Sequence, residues 1–267
     1  MNTFSNYVAS AELPPLQAIL AILVVFAMIE LTKYSLMLLK MRPYIKQLQL
    51  LQPPYYNALT YNQQKEFEKR VAKFILQKKF IARGNGFEIT VPMQVRIASS
   101  AVQLTFGLRP VYLSHFKTIL LYPDKYYSTI YKRYHCGEVN MRGFIVLSWR
   151  DFESGYNIAS DGFNLGLHEM AHALHLENVI QNNEYNFLDK QHLELWDSIA
   201  LQEMEKLRLV PAGFLRQQAC LDEHEFFAVC VESFFERPHD FRKSSPKVYD
   251  AMSLLLQQDP ARGIHQL

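Results

Sequence analysis

His168-Glu169-Met170-Ala171-His172, preceded by Asp161-Gly162-Phe163-Asn164-Leu165-Gly166-Leu167 and followed by Ala173-Leu174, is the most telling stretch of this 267-residue chain. On a helix, positions i and i+4 share a face, so both imidazoles can reach one metal ion. Glu169 projects beside that pair, where it can take a proton from metal-bound water. Asp161 or Ser160 suits a helix N-cap, and Phe163, Leu165, Leu167, Met170, Ala171 and Leu174 supply apolar surface, so a helix is expected over residues 161–178. The bland alternative is a helix carrying two surface histidines and a salt-bridged Glu. The apolar flanks favour the metal reading.

A catalytic zinc needs a third protein ligand and an open position for water. A metzincin would place Gly three residues and His six residues after the second His. Those positions hold His175 and Asn178, which excludes that class. The third ligand is then expected from a downstream helix, and Asp222-Glu223-His224-Glu225-Phe226-Phe227-Ala228-Val229 is the best candidate. Glu225 and Glu232 lie seven residues apart on one face of it. Glu225 reads equally well as the N3 carboxylate of a capping box behind Asp222. Spacing leaves ligand and cap both open.

Working outward, Thr60-x-x-Gln63 resembles a capping box and opens a helix through about Lys79. Its Lys and Arg residues (Lys65, Lys69, Arg70, Lys73, Lys78, Lys79) are interleaved with Glu66 and Glu68 and read as a solvated face. Gly84-Asn85-Gly86 marks a turn, after which Phe87–Val91 alternates like a short strand. A helix is expected over 92–106, and strands over Thr118–Tyr122 and Phe144–Trp149. Further helices are expected over 188–207, 222–236 and 246–258, the last opened by Ser245-Pro246. Strands before helices suggest an α+β fold.

At the N-terminal end, residues 18–29 read AILAILVVFAMI without a break. The wider stretch Leu16–Leu39 would form a helix roughly 36 Å long, enough to cross a hydrocarbon core of about 30 Å. A cleavable signal fits poorly, because Met1–Glu12 has no Lys or Arg and no small-x-small site follows the apolar run. Lys33, Lys40, Arg42 and Lys46 come late in or after that run. The positive-inside rule then puts everything beyond about residue 40 in the cytoplasm. The alternative is an amphipathic helix on the membrane surface or docked on a cytoplasmic globular domain. Pro53-Pro54 reads as the hinge, so the expected organisation is an N-terminal region 1–50 with a transmembrane helix at about 16–39, and a second domain over 51–267.

Composition sets outer bounds. Hydrophobic residues are 49% and charged residues 20%, ample for a core and incompatible with wholesale disorder. Lys and Arg total 28 against 26 Asp and Glu, a net charge of +2 that gives no basic stripe for nucleic acid. Cys136, Cys220 and Cys230 include no C-x-x-C pair and are too few for a disulfide framework, which suits a reducing compartment.

Two blocks carry a family resemblance: Asp161-Gly162-Phe163-Asn164-Leu165-x-Leu167-His168-Glu169-x-Ala171-His172-x-Leu174 and Glu225-x-Phe227-Ala228-Val229-x-x-x-Glu232-x-Phe234-Phe235. With Val146-Leu147-Ser148-Trp149 and Leu121-Tyr122-Pro123, they resemble the Mlc titration factor A zinc metallopeptidases over about residues 55–260. The resemblance implies a zincin-like fold with one zinc on His168, His172 and Glu225, and Glu169 as catalytic base. It further implies a peptide or protein substrate, aminopeptidase-type activity and binding of a transcriptional regulator. Two positions depart from the family pattern. Gln218 stands where a Tyr, a potential oxyanion stabiliser, is usual, and His175 replaces an Asp. His175 is read as outer to the metal or on the surface, and Glu232 as supporting the site or packing. The rival reading is a membrane-tethered zinc-binding interaction protein with weak or no catalysis.

Overall fold

A computed structural model describes residues 16–128, 132–158, 160–209 and 213–263. Its elements run α1 (Leu16–Leu51), α2 (Pro54–Asn57), α3 (Tyr61–Gln77), β1 (Lys79–Ala82), α4 (Val91–Thr105), β2 (Thr118–Tyr122), β3 (Tyr126–Ser128), β4 (Arg133–His135), β5 (Gly137–Asn140) and β6 (Phe144–Ser148). Then come α5 (Trp149–Asn157), α6 (Leu165–Val179), α7 (Lys190–Leu209), α8 (Glu223–Glu236), α9 (Pro238–Ser244) and α10 (Pro246–Leu256). The chain divides into two units, Met1–Arg42 and Pro43–Leu267.

The first unit carries most of α1. The helix extends beyond the apolar stretch Leu16–Leu39, through Pro43 to Leu51. Leu23, Val24, Val25, Phe26 and Ile29 are exposed along it. From Ala18 onward α1 is long and apolar enough to cross a membrane.

In the second unit the strand order is β1-β2-β6-β5. The first three strands are parallel, and β5 closes the edge antiparallel to β6, with Gly137 opposite Leu147. β2 (TILLY) and β6 (FIVLS) are near-continuous apolar runs, as suits central strands covered on both faces. A parallel β1–β2 pair requires a crossover, and α4 supplies it. α6 packs against α4, α5, α8 and β5, while α8 packs against α6 and α7. Phe152, Phe226, Phe234, Phe241 and Tyr249 are fully buried in the core around these helices.

Three expectations are corrected. Phe87–Val91 is not a strand: Thr90 is already the N-cap of α4, and Phe87 and Ile89 alternate because they pack on the core from an extended lead-in. The strand on that side is β1, whose apolar character Lys78 and its own first residue, Lys79, conceal. Arg70 is not on a solvated face, since it is 7% exposed and bonds Glu66 and the carbonyls of Phe106 and Leu108. The helix expected from residue 161 begins at Leu165, and Asn164, not Asp161 or Ser160, is its cap.

Candidate metal centre

Asn164 starts α6 by accepting a hydrogen bond on Oδ1 from Leu167 N at 3.0 Å. Asp161 instead accepts from Phe163 N within the turn before it. Gly166 lets the first turn of α6 lie close, because a Cβ there would strike the Phe152 ring and Ser100 Oγ. The helix so placed brings His168 and His172 to one face, with their Nε2 atoms 3.1 Å apart. From α8, Glu225 Oε2 lies 3.4 Å from His168 Nε2 and Oε1 lies 3.5 Å from His172 Nε2. One ligand atom from each of the three residues falls within 4.8 Å of the others. Two zinc–nitrogen bonds of about 2.0–2.1 Å at a tetrahedral angle put their nitrogens about 3.3 Å apart, so the donor set fits that ion.

The local contacts at the start of α8 give the capping role to Asp222. Asp222 Oδ1 accepts from both His224 N and Glu225 N at 2.9 Å, which caps the helix. Glu225 does not return the bond; its carboxylate faces the two histidines and accepts from Gln218 Nε2 at 2.6 Å. Gln218, at the position where the family pattern has a Tyr, thus donates to the carboxylate of Glu225.

Glu232, one heptad on, meets the other side of the same imidazole. Its Oε1 lies 2.8 Å from His168 Nδ1, so an Nδ1–H tautomer leaves Nε2 free for a metal. Asn164 N donates to Glu232 Oε2 at 2.6 Å, and Arg216 Nη2 donates to Oε1. His175 stays out of the cluster. Its ring meets His224 edge to face at 4.5 Å, and burial, with the His224 and His172 charges, pushes it down to about 4.

Glu169 is 5% exposed and lies under β5 at Gly137, where an added Cβ would overlap its carboxylate. Burial raises its carboxyl above the usual range despite the pull of His168 and His172. Burial works against a charge on His168 as well, yet bonds to Glu225 and Glu232 outweigh it and raise the imidazole to about 10. Glu225 is held well below the usual carboxylate range; burial opposes this, but the two histidines prevail. The two imidazoles and the Glu225 carboxylate that faces them are donors that a divalent cation would satisfy. A cleft of about 960 Å³ opens over it, walled by β4 and β5 on one side and by Phe163, Arg216 and Gln218 on the other.

Gly137 and Arg216 take part in this geometry and were not singled out from sequence. For Gly137 a signal exists, since an isolated glycine within a strand marks close backbone approach. Arg216, in a connecting segment sixteen residues from its partner, carries none.

A histidine pair one helical turn apart, closed by a carboxylate from a second helix beside a buried Glu, is the donor set of a metallohydrolase. The chain belongs to the glucose-regulated metallo-peptidase M90 family, whose profile matches residues 32–257. It is 28% identical over 229 residues to the Mlc titration factor A of Escherichia coli O7:K1 (strain IAI39 / ExPEC), covering 79% of this chain and 85% of the relative. The protein of the same name from Shigella flexneri serotype 5b (strain 8401) is 27% identical over the same shares. Membership makes the chain a metallopeptidase at family level, with zinc the typical ion for such a site.

Proposed function

We propose that this chain is a zinc-dependent peptidase of zincin-like fold, tethered to a membrane by α1. The observation that carries the reading is the convergence of His168, His172 and Glu225 at a cleft floor with Glu169 beside them. Zinc, when bound, supplies Lewis-acid polarisation of a carbonyl and acidifies water. His168, His172 and Glu225 hold it, and Glu232 and Gln218 orient two of these three ligands from behind. Glu169 accepts the proton of the attacking water and delivers it to the leaving amine. Its shielding under β5 favours the protonated form it needs for the second transfer. The family resemblance supports aminopeptidase-type cleavage as the particular reaction.

Glu169→Gln tests this directly. The variant should keep one zinc per chain, while peptide hydrolysis falls by about 10²–10⁴, the worth of general-base assistance. Equal turnover by wild type and variant would remove Glu169 from the reaction.

One observation favours a second reading. Gln218 stands where the family pattern has a phenolic donor, and its amide is spent on Glu225. A zinc-binding protein that captures a transcriptional regulator, in the manner the relatives' name gives for Mlc, would need no such donor. Zinc-loaded full chain that cleaves nothing in a peptide library but retains a regulator would establish it.

A further inference from the structure

Arg216 reaches from the segment before α8 to Glu232, and its Nη2 donates to the oxygen that also meets His168 Nδ1. Its guanidinium lies 4.0 Å from the centroid of the Phe163 ring, on the wall of the cleft. Glu232 is 2% exposed, and its other oxygen is taken by Asn164 N. A carboxylate so deeply buried is costly unless a cation and hydrogen bonds compensate it. Once a neutral His168 ligates through Nε2, Arg216 is the one cation touching Glu232 among the described residues.

We propose that Arg216 is a positioning residue of the metal centre. As fixed counter-charge and donor to Glu232, it holds that carboxylate on His168 Nδ1, so the imidazole presents Nε2 to the metal. Phe163 is its platform. The next residue, Asn164, caps α6 and donates to the same carboxylate, so one short turn fixes both the helix and the acceptor that orients its first histidine. The role rests on His168 being a ligand, and it adds a cation that acts on the metal only through Glu232.

The test is zinc affinity of the detergent-solubilised full chain, measured by chelator competition for R216M, R216K, E232Q and R216M/E232Q. Losing the support of a ligating histidine typically weakens metal affinity 10–100-fold, which is the loss expected for R216M and for E232Q. R216K should recover most of it, and the double variant should be no weaker than E232Q alone. Wild-type affinity in R216M, or losses that multiply in the double variant, would overturn the proposal. If R216M shows no cooperative thermal transition, R216Q replaces it with the same expectation. Hydrolysis is scored separately. Weakened zinc in R216M beside an inactive wild type sustains the positioning role and removes the peptidase reading, whereas unchanged zinc beside active wild type does the reverse.

Discussion

Glu225 and Gln218 illustrate how much a spacing rule can and cannot convey. The histidine pair is legible in sequence because helical periodicity alone fixes which residues share a face. Glu225 is only half legible, since an N3 carboxylate after an Asp cap is as good a capping box as it is a ligand. Side-chain direction, which periodicity does not encode, bears on the choice: Asp222 caps, and the Glu225 carboxylate faces the histidines. Gln218 was legible only as a departure from the family's Tyr, and its partner was not legible. Its amide donates to Glu225 Oε2 at 2.6 Å, so Gln218→Ala should act on the metal. We expect zinc affinity to drop about 10-fold or more, as for other groups that orient a ligand, whereas Glu225→Gln should lose binding almost entirely. A donor to the transition state would behave otherwise. It would leave zinc affinity intact and lower kcat by about 10²–10³. Chelator competition alongside steady-state kinetics on Gln218→Ala tells the two roles apart.

β5 and the turn into α6 were invisible as elements, for opposite reasons. Gly137-Glu138-Val139-Asn140 is short and polar because it is an edge strand, so no apolar run announces it. Its glycine is demanded by Glu169 beneath. Gly137→Ala should force the carboxylate aside, and a displacement of about 1 Å can cost about 100-fold in rate. We expect kcat to fall by that order with zinc retained; unchanged kcat would mean the strand yields instead. The turn at 161–164 reads as helix because Asp161 and Ser160 are good N-cap residues and Phe163 adds an apolar side chain. It is held open by Glu236, which accepts from Gly162 N and Asn164 Nδ2 at 2.9 Å. Burial, helped by the Asp161 and Glu232 charges, overcomes those bonds and raises Glu236 to about 7. A raised folded-state value means the folded chain binds the extra proton, so this stability is full below the ordinary value near 4.5. It is lost as pH rises through 7. Between pH 4.5 and 8, thermal unfolding of wild type should therefore lose more stability than Glu236→Gln, which cannot ionise. Parallel curves for the two proteins would show that Glu236 does not set this dependence.

The two units expose very different surfaces. Pro43–Leu267 buries its large aromatics, while Met1–Arg42 displays Leu23, Val24, Val25 and Phe26 outward, an arrangement that water disfavours and a hydrocarbon layer rewards. The unbroken apolar run reads as marginal for a span, because twelve residues fall short of the usual minimum of about 18. A helix over the wider Leu16–Leu39 stretch is long enough, and α1 itself runs on to Leu51. Over Ala18–Leu51 the helix has 34 residues, about 51 Å at 1.5 Å each, long enough to cross a core of about 30 Å. Lys33 can pair with Glu30 at 2.7 Å near one boundary, and Lys40, Arg42 and Lys46 then fall on the side where positive charge is retained. The full chain should accordingly pellet with membranes and resist alkaline carbonate, with the Pro43–Leu267 unit open to protease only from the cytoplasmic face. Each Lys at the centre of a span costs about 2.5–3.5 kcal/mol of insertion, so Val24→Lys with Phe26→Lys should move the chain to the soluble fraction. Zinc binding should persist in that variant, since all three ligands belong to the other unit. Release of the wild-type chain by carbonate would instead mean that α1 lies along the interface, held by one apolar face and by its lysines at the headgroups.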